Sequence, residues 1–83
     1  MEIRDNRAAA KALLKMPANT ARLIRRKLEQ YASNPDSMAN NVRKLQGREG
    51  YRLRVGDWRV VFDRDGVVLD ILEIGPRGSI NED

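Results

Sequence analysis

The sequence predicts an α+β domain in which an N-terminal helical hairpin packs on one face of a three- to four-stranded antiparallel sheet. Three observations support this: two successive apolar stripes with helical spacing before residue 34, an alternating block at 51–62, and another alternating run at 67–74. Helical stripes and a one-sided apolar sheet each need a partner, and here each supplies the other. Residues 1–83 are expected to form a single domain, because 83 residues are enough for one small core.

Two helices are predicted in the first part of the chain. The first follows a candidate N-cap at Asp5 or Asn6, runs over residues 7–16 with several alanines, and stops at Pro17. The second covers residues 20–33, and its apolar positions recur every three to four residues. Those positions are Leu23, Ile24, Leu28, Tyr31 and Ala32.

The block at 51–62 has the pattern of a β-hairpin. Apolar residues alternate with others on both sides of Gly56-Asp57, a dipeptide that suits a two-residue turn. This turn fixes the register and places six apolar side chains on one surface of the ribbon. The predicted pairs are Val55 with Trp58, Leu53 with Val60, and Tyr51 with Phe62.

The opposite surface of this hairpin is basic. In the same register Arg54 lies directly across from Arg59, and Arg52 follows two residues along the strand. Like charges at opposed strand positions destabilise a sheet by roughly 0.2 to 1 kcal/mol. An anionic ligand would turn this repulsion into attraction, so the pattern favours an exposed phosphate-binding surface.

The rest of the sheet is predicted from shorter signals. Residues 1–4 are expected to form a short edge strand, residues 36–50 a polar connection, and residues 67–74 a third strand after a two-residue turn at Asp65-Gly66. The expected contacts are Phe62 with Leu69, Val60 with Ile71, Leu72 with Arg59, and chain anchors at Val42 and Leu45.

Composition excludes several kinds of chemistry. The chain contains no cysteine and no histidine, which excludes disulfides, thiol catalysis, ordinary zinc sites and Ser-His or Cys-His triads. We expect no metal and no cofactor, and any catalysis must use Arg, Lys, Asp, Glu or Tyr. The sequence also lacks the apolar run of about 18 residues typical of a membrane span. A cytoplasmic protein is therefore predicted.

The positive charge is concentrated in one part of the chain. The net charge is +4, and residues 43–64 hold seven basic and three acidic residues, whereas the remainder has nine of each. A localised basic patch is the electrostatic signature of a nucleic-acid partner. Arg43, Lys44 and Arg48 are candidate RNA-binding residues through general attraction to phosphate.

Three segments in a fixed order carry a family resemblance. They are Lys44-Leu45-Gln46-Gly47, the block from Tyr51 to Phe62, and Ile74-Gly75-Pro76-Arg77. Placed after a helical hairpin, they resemble the RelE/ParE superfamily of bacterial toxins, specifically its RelE branch, over nearly the whole chain. The resemblance implies the toxin of a type II toxin-antitoxin system that cleaves messenger RNA in the ribosomal A site. It also implies a cognate antitoxin, through which oligomers mainly form.

The resemblance assigns residues to this activity. Arg52, Arg54, Arg59 and Arg77 match the basic catalytic positions of the family, with arginine where some relatives have lysine. Relatives usually end with a tyrosine at a position that Asn81 occupies here, so the resemblance implies weakened activity. The implied enzyme is a metal-independent endoribonuclease, in which arginines act as fork-shaped phosphate donors rather than as bases.

Two alternatives remain open from the sequence. A ParE-like inhibitor of gyrase would share the fold without cleaving RNA. An attenuated toxin scaffold, suggested by Asn81, would mainly bind its antitoxin.

Overall fold

The computed structural model describes residues 1–80. Helices precede most of the sheet, as the sequence predicts, and one short strand precedes the helices. The elements are β1 (Glu2–Asp5), α1 (Arg7–Lys15), α2 (Ala18–Ser33), a 3₁₀ segment (Pro35–Asn41), β2 (Val42–Lys44), β3 (Tyr51–Val55), β4 (Trp58–Arg64) and β5 (Val68–Pro76).

The two helices form through local signals that the sequence contains. Asn6 is the N-cap of α1, and its Oδ1 accepts a hydrogen bond from the backbone N–H of Ala9 at 2.9 Å. Pro17 separates the helices and lies at the N-cap of α2. The buried residues of α2 are Ile24, Leu28 and Tyr31. Leu23, predicted to lie on that buried stripe, is instead exposed, because it lies at the margin of the stripe.

The sheet has five strands in the order β1-β5-β4-β3-β2, so the prediction of three to four strands was too low. The edge strand at the N-terminus is confirmed, but it pairs with β5 in parallel, whereas the other pairs are antiparallel. Strand β2 lies within the stretch predicted as a connection. Its three residues include two cations and are too few to show alternation, so the pattern carried no strand signal.

The central hairpin has the predicted register. Leu53 pairs with Val60 and Arg54 pairs with Arg59 across β3 and β4. Gly56 takes a φ of +57° at the first residue of the loop, a left-handed conformation that glycine adopts without steric cost.

The register between β4 and β5 differs from the prediction. The carboxylate of Asp65 accepts hydrogen bonds from the backbone N–H groups of Val67 at 2.9 Å and Val68 at 2.7 Å, which moves the turn one residue along. A register shift between Val61 and Phe62 displaces the pairing further. The observed pairs are Phe62 with Ile71, Val60 with Ile74, Arg59 with Gly75, and Arg64 with Leu69.

Two apolar clusters lie on opposite faces of the sheet. The larger one, between sheet and helices, includes Phe62, Leu53 and Ile71, each with no exposed surface. The smaller one lies on the other face and consists of Leu45, Val61 and Ile80, with Leu72 packed against it. Leu72 therefore belongs to an apolar cluster rather than beside Arg59, whose partner is Gly75. Within residues 1–80, no helix combines the length and apolar character that crossing a membrane requires.

Candidate phosphate-binding site

A concave pocket opens on the face of the sheet that the helices leave uncovered. It has a volume of about 200 Å³, and its lining is polar and strongly basic. We call this feature the arginine pocket; its lining residues are Asn40, Asn41, Arg43, Arg52, Arg54 and Arg59.

Strand pairing brings the four arginines of the pocket together. Arg43 on β2 pairs with Arg52 on β3, and Arg54 on β3 pairs with Arg59 on β4. Side chains at opposed positions of antiparallel strands point to the same face, with Cβ atoms about 4.5 to 5.5 Å apart. The arrangement therefore places four guanidinium groups over three neighbouring strands.

Arg59 differs from the other arginines because it is buried, with only 8% of its surface exposed. Its Nη1 donates hydrogen bonds to the carbonyl oxygens of Gly56 at 2.9 Å and Trp58 at 3.0 Å. The expectation that all three hairpin arginines are exposed is therefore wrong for Arg59, whose guanidinium donates to the backbone carbonyl groups of Gly56 and Trp58. These bonds fix the position of a donor group at the floor of the pocket.

The other arginines of the pocket are not neutralised by nearby acids of the described chain. Among residues 1–80, no carboxylate oxygen lies within 4.0 Å of a guanidinium nitrogen of Arg43, Arg52 or Arg54. The salt bridges found in this range join Arg4 to Glu2 and Arg25 to Asp5, away from the pocket. Within residues 1–80, the positive charge of these three arginines is thus not balanced by a salt bridge.

The remaining candidate residues lie outside the lining of the pocket. Arg77 is exposed in the turn after β5, and its backbone N–H donates to the carbonyl oxygen of Asp57 at 2.6 Å. This bond confirms that the turn lies at the same end of the sheet as the central hairpin loop. Lys44 and Arg48 are exposed before β3, and Asn81 lies outside the described residues.

The smaller apolar cluster adjoins the arginine pocket. Val61 of this cluster pairs with Arg52 of the pocket across β3 and β4. Gly75 pairs with Arg59, and a Cβ atom on Gly75 would lie 2.7 Å from Ser79 Oγ and 3.3 Å from a methyl carbon of Ile80. The missing side chain of Gly75 therefore allows the C-terminal turn to fold over the sheet beside the pocket.

The aromatic residues of the sheet belong to the helix side. Trp58 is half-buried against the main core, and the ring of Tyr51 stacks on Phe62 with centroids 5.5 Å apart. This agrees with the sequence prediction that both rings lie on the apolar face of the hairpin.

Tyr31, on α2, is the other tyrosine of the chain. Burial raises the pKa of the Tyr31 phenol, and the guanidinium of Arg64 opposes that shift. Tyr31 is therefore a neutral core residue at ordinary pH rather than a base for the pocket.

Sequence reasoning missed part of the site. Asn40 and Asn41 lie in the segment that the sequence predicts to be a polar connection, and Arg43 is predicted only to attract phosphate in a general way. The signal available was the pair Val42 and Leu45, whose apolar character already suggested anchoring. Pairing of Val42 with Leu53 sets Arg43 opposite Arg52 and so completes the pocket.

A helical hairpin on one face of a five-stranded sheet, with arginines gathered on the other, defines a protein of the RelE/ParE class. Residues 3–80 match the family model described as the ParE toxin of the type II toxin-antitoxin system, parDE. The chain therefore belongs to this toxin family, within the RelE/ParE superfamily. A comparison with curated proteins found no match.

One solved structure supports the same class, and two others share the fold. The archaeal RelE-RelB complex from Pyrococcus horikoshii OT3 contains a chain with 27% identity and a TM-score of 0.78, covering 95% of this chain and 97% of that one. The intact RelBE toxin-antitoxin complex of E. coli gives 20% identity and a TM-score of 0.73, with 90% and 94% covered. The RelBE2 toxin-antitoxin complex of Mycobacterium tuberculosis gives 18% identity and a TM-score of 0.66, covering 92% of this chain and 96% of that one. The last two likenesses concern the fold alone.

Proposed function

We propose that this toxin is a ribosome-dependent messenger-RNA endonuclease and that the arginine pocket holds the scissile phosphate. The observation that carries the proposal is the convergence of four arginines on one pocket, three of them without a carboxylate in salt-bridge range among residues 1–80. Opposed like charges cost stability in the free protein. A phosphodiester bound among them would supply the missing negative charge.

The proposed reaction is attack of a ribose 2′-oxygen on the neighbouring phosphorus. The bond between phosphorus and the 5′-oxygen breaks, which gives a 2′,3′-cyclic phosphate and a 5′-hydroxyl. The proton leaves the 2′-hydroxyl, and the departing 5′-oxygen gains one. Negative charge grows on the non-bridging oxygens, where one well-placed donor contributes about 100- to 1000-fold in rate.

Arg59 is our choice for stabilising this charge, because its guanidinium is already oriented by two backbone carbonyl groups. Arg52 and Arg54 would hold the RNA backbone on the open side of the same pocket. Arg77 remains a further catalytic residue implied by the family resemblance, and it lies in the turn bonded to Asp57. These assignments use arginine as an electrostatic group, since its pKa above 12 makes it a poor base.

The absence of histidine and cysteine explains why the ribosome is needed in this scheme. No side chain of the chain is an ordinary general base near neutral pH. Orientation of reacting groups can contribute about 7 to 11 kcal/mol in favourable cases, and the decoding site would supply that orientation. The free protein should therefore cleave naked RNA poorly.

The test is transcript-end sequencing after induced expression and in a reconstituted translation system. We expect cuts at fixed codon positions on translated messages, and a loss of cutting of about 100- to 1000-fold in Arg59→Ala. Arg26→Ala is the matched control, because Arg26 is an exposed arginine on α2, away from the pocket. An Asn81→Tyr variant tests whether the family tyrosine raises activity.

Thermal unfolding must accompany these measurements, because Arg59 is buried. A folded Arg59→Ala protein that cuts as well as the parent would contradict the proposal. Metal-dependent degradation of free RNA would also contradict it.

Inhibition of gyrase is the second candidate, and the match to the ParE toxin model favours it. A gyrase poison would induce DNA damage signalling without shortening messenger RNA. Comparing the two responses in the same induced culture separates the candidates, and Arg54→Ala should relieve growth inhibition only if the arginine pocket is the active surface.

We also propose that a cognate antitoxin binds this chain and covers its basic face. Three similar structures are complexes of RelE-type toxins with their antitoxins. Coexpression with the product of an adjacent gene, followed by copurification, tests the partner. Restored growth without a stable complex would contradict it.

A further inference from the structure

Two asparagines share the arginine pocket with the guanidinium groups. Asn40 and Asn41 line it at the end of the 3₁₀ segment, directly before β2. Asn41 is half-buried and Asn40 is exposed. Both side chains therefore stand at the edge of the pocket rather than in the core.

The backbone on either side of these asparagines is held in place. Met38 of the same segment is buried, with 4% of its surface exposed, and packs in the main core. Val42 follows and pairs with Leu53 in the sheet. Asn40 and Asn41 thus occupy a short stretch anchored at both ends, which gives their backbone a defined position beside Arg43 in the pocket lining.

The asparagines supply the hydrogen-bonding function that the arginines lack. A guanidinium group only donates hydrogen bonds, whereas a carboxamide both donates and accepts. Among the side chains of residues 1–80 that line the pocket, Asn40 and Asn41 are the sole acceptors. Neither carboxamide has a hydrogen-bond partner among residues 1–80.

A phosphate needs only donors, so the acceptors serve another part of the ligand. The edge of a nucleic-acid base presents adjacent donors and acceptors, which a carboxamide matches in pairs. Bases of single-stranded RNA are accessible for this contact. The pocket thus has one set of side chains suited to a phosphate and a second set suited to the nucleoside attached to it.

We propose that Asn40 and Asn41 read the base attached to the phosphate in the arginine pocket and set the nucleotide preference of this site. This inference rests on the proposed function, which it deepens by naming the residues that select the substrate sequence. Arg43 and Arg52 hold the phosphate nearby, so the asparagines act on a nucleotide that is already bound.

Binding measurements test this without depending on cleavage. Inorganic phosphate and the four nucleoside 3′-monophosphates are titrated into the full chain and followed by NMR. We expect the parent protein to discriminate among the four nucleotides, with differences of roughly 5- to 150-fold for one well-formed pair of hydrogen bonds. Asn40→Ala and Asn41→Ala should reduce these differences by a larger factor than they reduce the affinity for inorganic phosphate.

Matched variants separate the possible outcomes. Asn19→Ala removes an exposed asparagine at the start of α2, far from the pocket lining, and should keep the discrimination of the parent protein. Arg52→Ala should weaken phosphate and all four nucleotides together. Equal binding of the four nucleotides by the parent, or unchanged discrimination in both asparagine variants, would overturn the inference.

The failure of the inference is distinguishable from that of the proposed function. If phosphate binds and only base discrimination is absent, the asparagine assignment fails while the arginine pocket stands. If inorganic phosphate and the nucleotides all fail to bind, the pocket is not an anion site and both fail. In cells, the asparagine variants should change the bases found at the cut, whereas a uniform fall in cutting at unchanged bases would contradict base reading.

Discussion

The two faces of the sheet share the same strands and have opposite characters. On β3, Leu53 and Val55 face the helices and are buried, whereas Arg52 and Arg54 face the other way and line the arginine pocket. Side chains of a strand alternate between faces, so five consecutive residues serve both purposes. The hairpin therefore supplies core residues on one side and the proposed binding surface on the other.

The comparison separates the side chains that stabilise the fold from those that oppose folding. Burial of apolar surface on the helix side contributes roughly 25 cal/mol for each Å² removed from water. On the other side, opposed arginines oppose folding by roughly 0.2 to 1 kcal/mol for a directly facing pair. Truncating a buried apolar side chain on the helix side and removing one charge of the facing arginine pair should consequently change stability in opposite directions.

The largest expected effect is loss of stability on the helix side. Phe62→Ala should lower the free energy of unfolding by about 3 to 5 kcal/mol, because Phe62 has no exposed surface and contacts both Tyr31 and Tyr51. Urea denaturation measures the change. Val67→Ala, at a residue that is 71% exposed, is the control and should change stability by less than about 0.5 kcal/mol.

The next effect concerns the small apolar cluster beside the pocket. Gly75→Ala should cost about 1 to 3 kcal/mol, because its new methyl group would lie 2.7 Å from Ser79 Oγ. That oxygen now donates to the carbonyl of Pro76 at 2.8 Å and would have to move. Urea denaturation of the single variant and of Gly75→Ala with Ser79→Ala tests the cause.

In the double variant the closest contact is absent, so it should recover part of the stability lost in Gly75→Ala. An equal loss in the two proteins would assign the cost to Ile80 or to the strand itself, and would contradict the role given to Ser79.

Local sequence patterns predict much of this fold. The two helices, the edge strand at the N-terminus and the pairing of Arg54 with Arg59 follow from local patterns and a glycine turn, and all are confirmed. Strand β2 has three residues and owes its existence to pairing with β3, which local propensity does not encode. The shift between Val61 and Phe62 likewise depends on tertiary packing.

The candidate site was predictable to the same extent. Side-chain alternation in the sequence predicts that Arg52, Arg54 and Arg59 share one face of the sheet. The structure confirms this, because all three line the pocket. Burial of Arg59 was not predictable, because side-chain alternation gives no signal for a guanidinium that donates to the backbone carbonyl groups of Gly56 and Trp58. Asn40 and Asn41 enter the site only through the pairing of β2.

A smaller effect of opposite sign is expected on the basic face. Arg54→Ala should raise the free energy of unfolding by about 0.2 to 1 kcal/mol, because it removes the charge opposite Arg59. The same variant should bind RNA more weakly and reduce the slope of log affinity against log salt by about 1. Denaturation and binding at several salt concentrations measure the two changes.

Arg26→Ala provides the comparison for Arg54→Ala, since Arg26 is exposed on α2 and does not line the pocket. It should leave both stability and the salt slope near the parent values. A destabilised Arg54→Ala protein would contradict the view that the pocket arginines repel one another.

The smallest expected effect is a pH dependence of stability. It arises at the turn between β4 and β5, which sets the register of β5. Backbone N–H groups of Val68 and Val67 lower the pKa of Asp65 below its ordinary value of 3.8. The unfolded chain therefore binds this proton more readily, so the stabilisation is present above pH 3.8 and is lost as pH falls through the folded-state pKa. Asp65→Asn should be less stable than the parent at neutral pH. The difference in free energy of unfolding between the two proteins should shrink when denaturation is repeated at pH values from 7 downward. A constant difference for Asp65→Asn at every pH would contradict the role given to its charge.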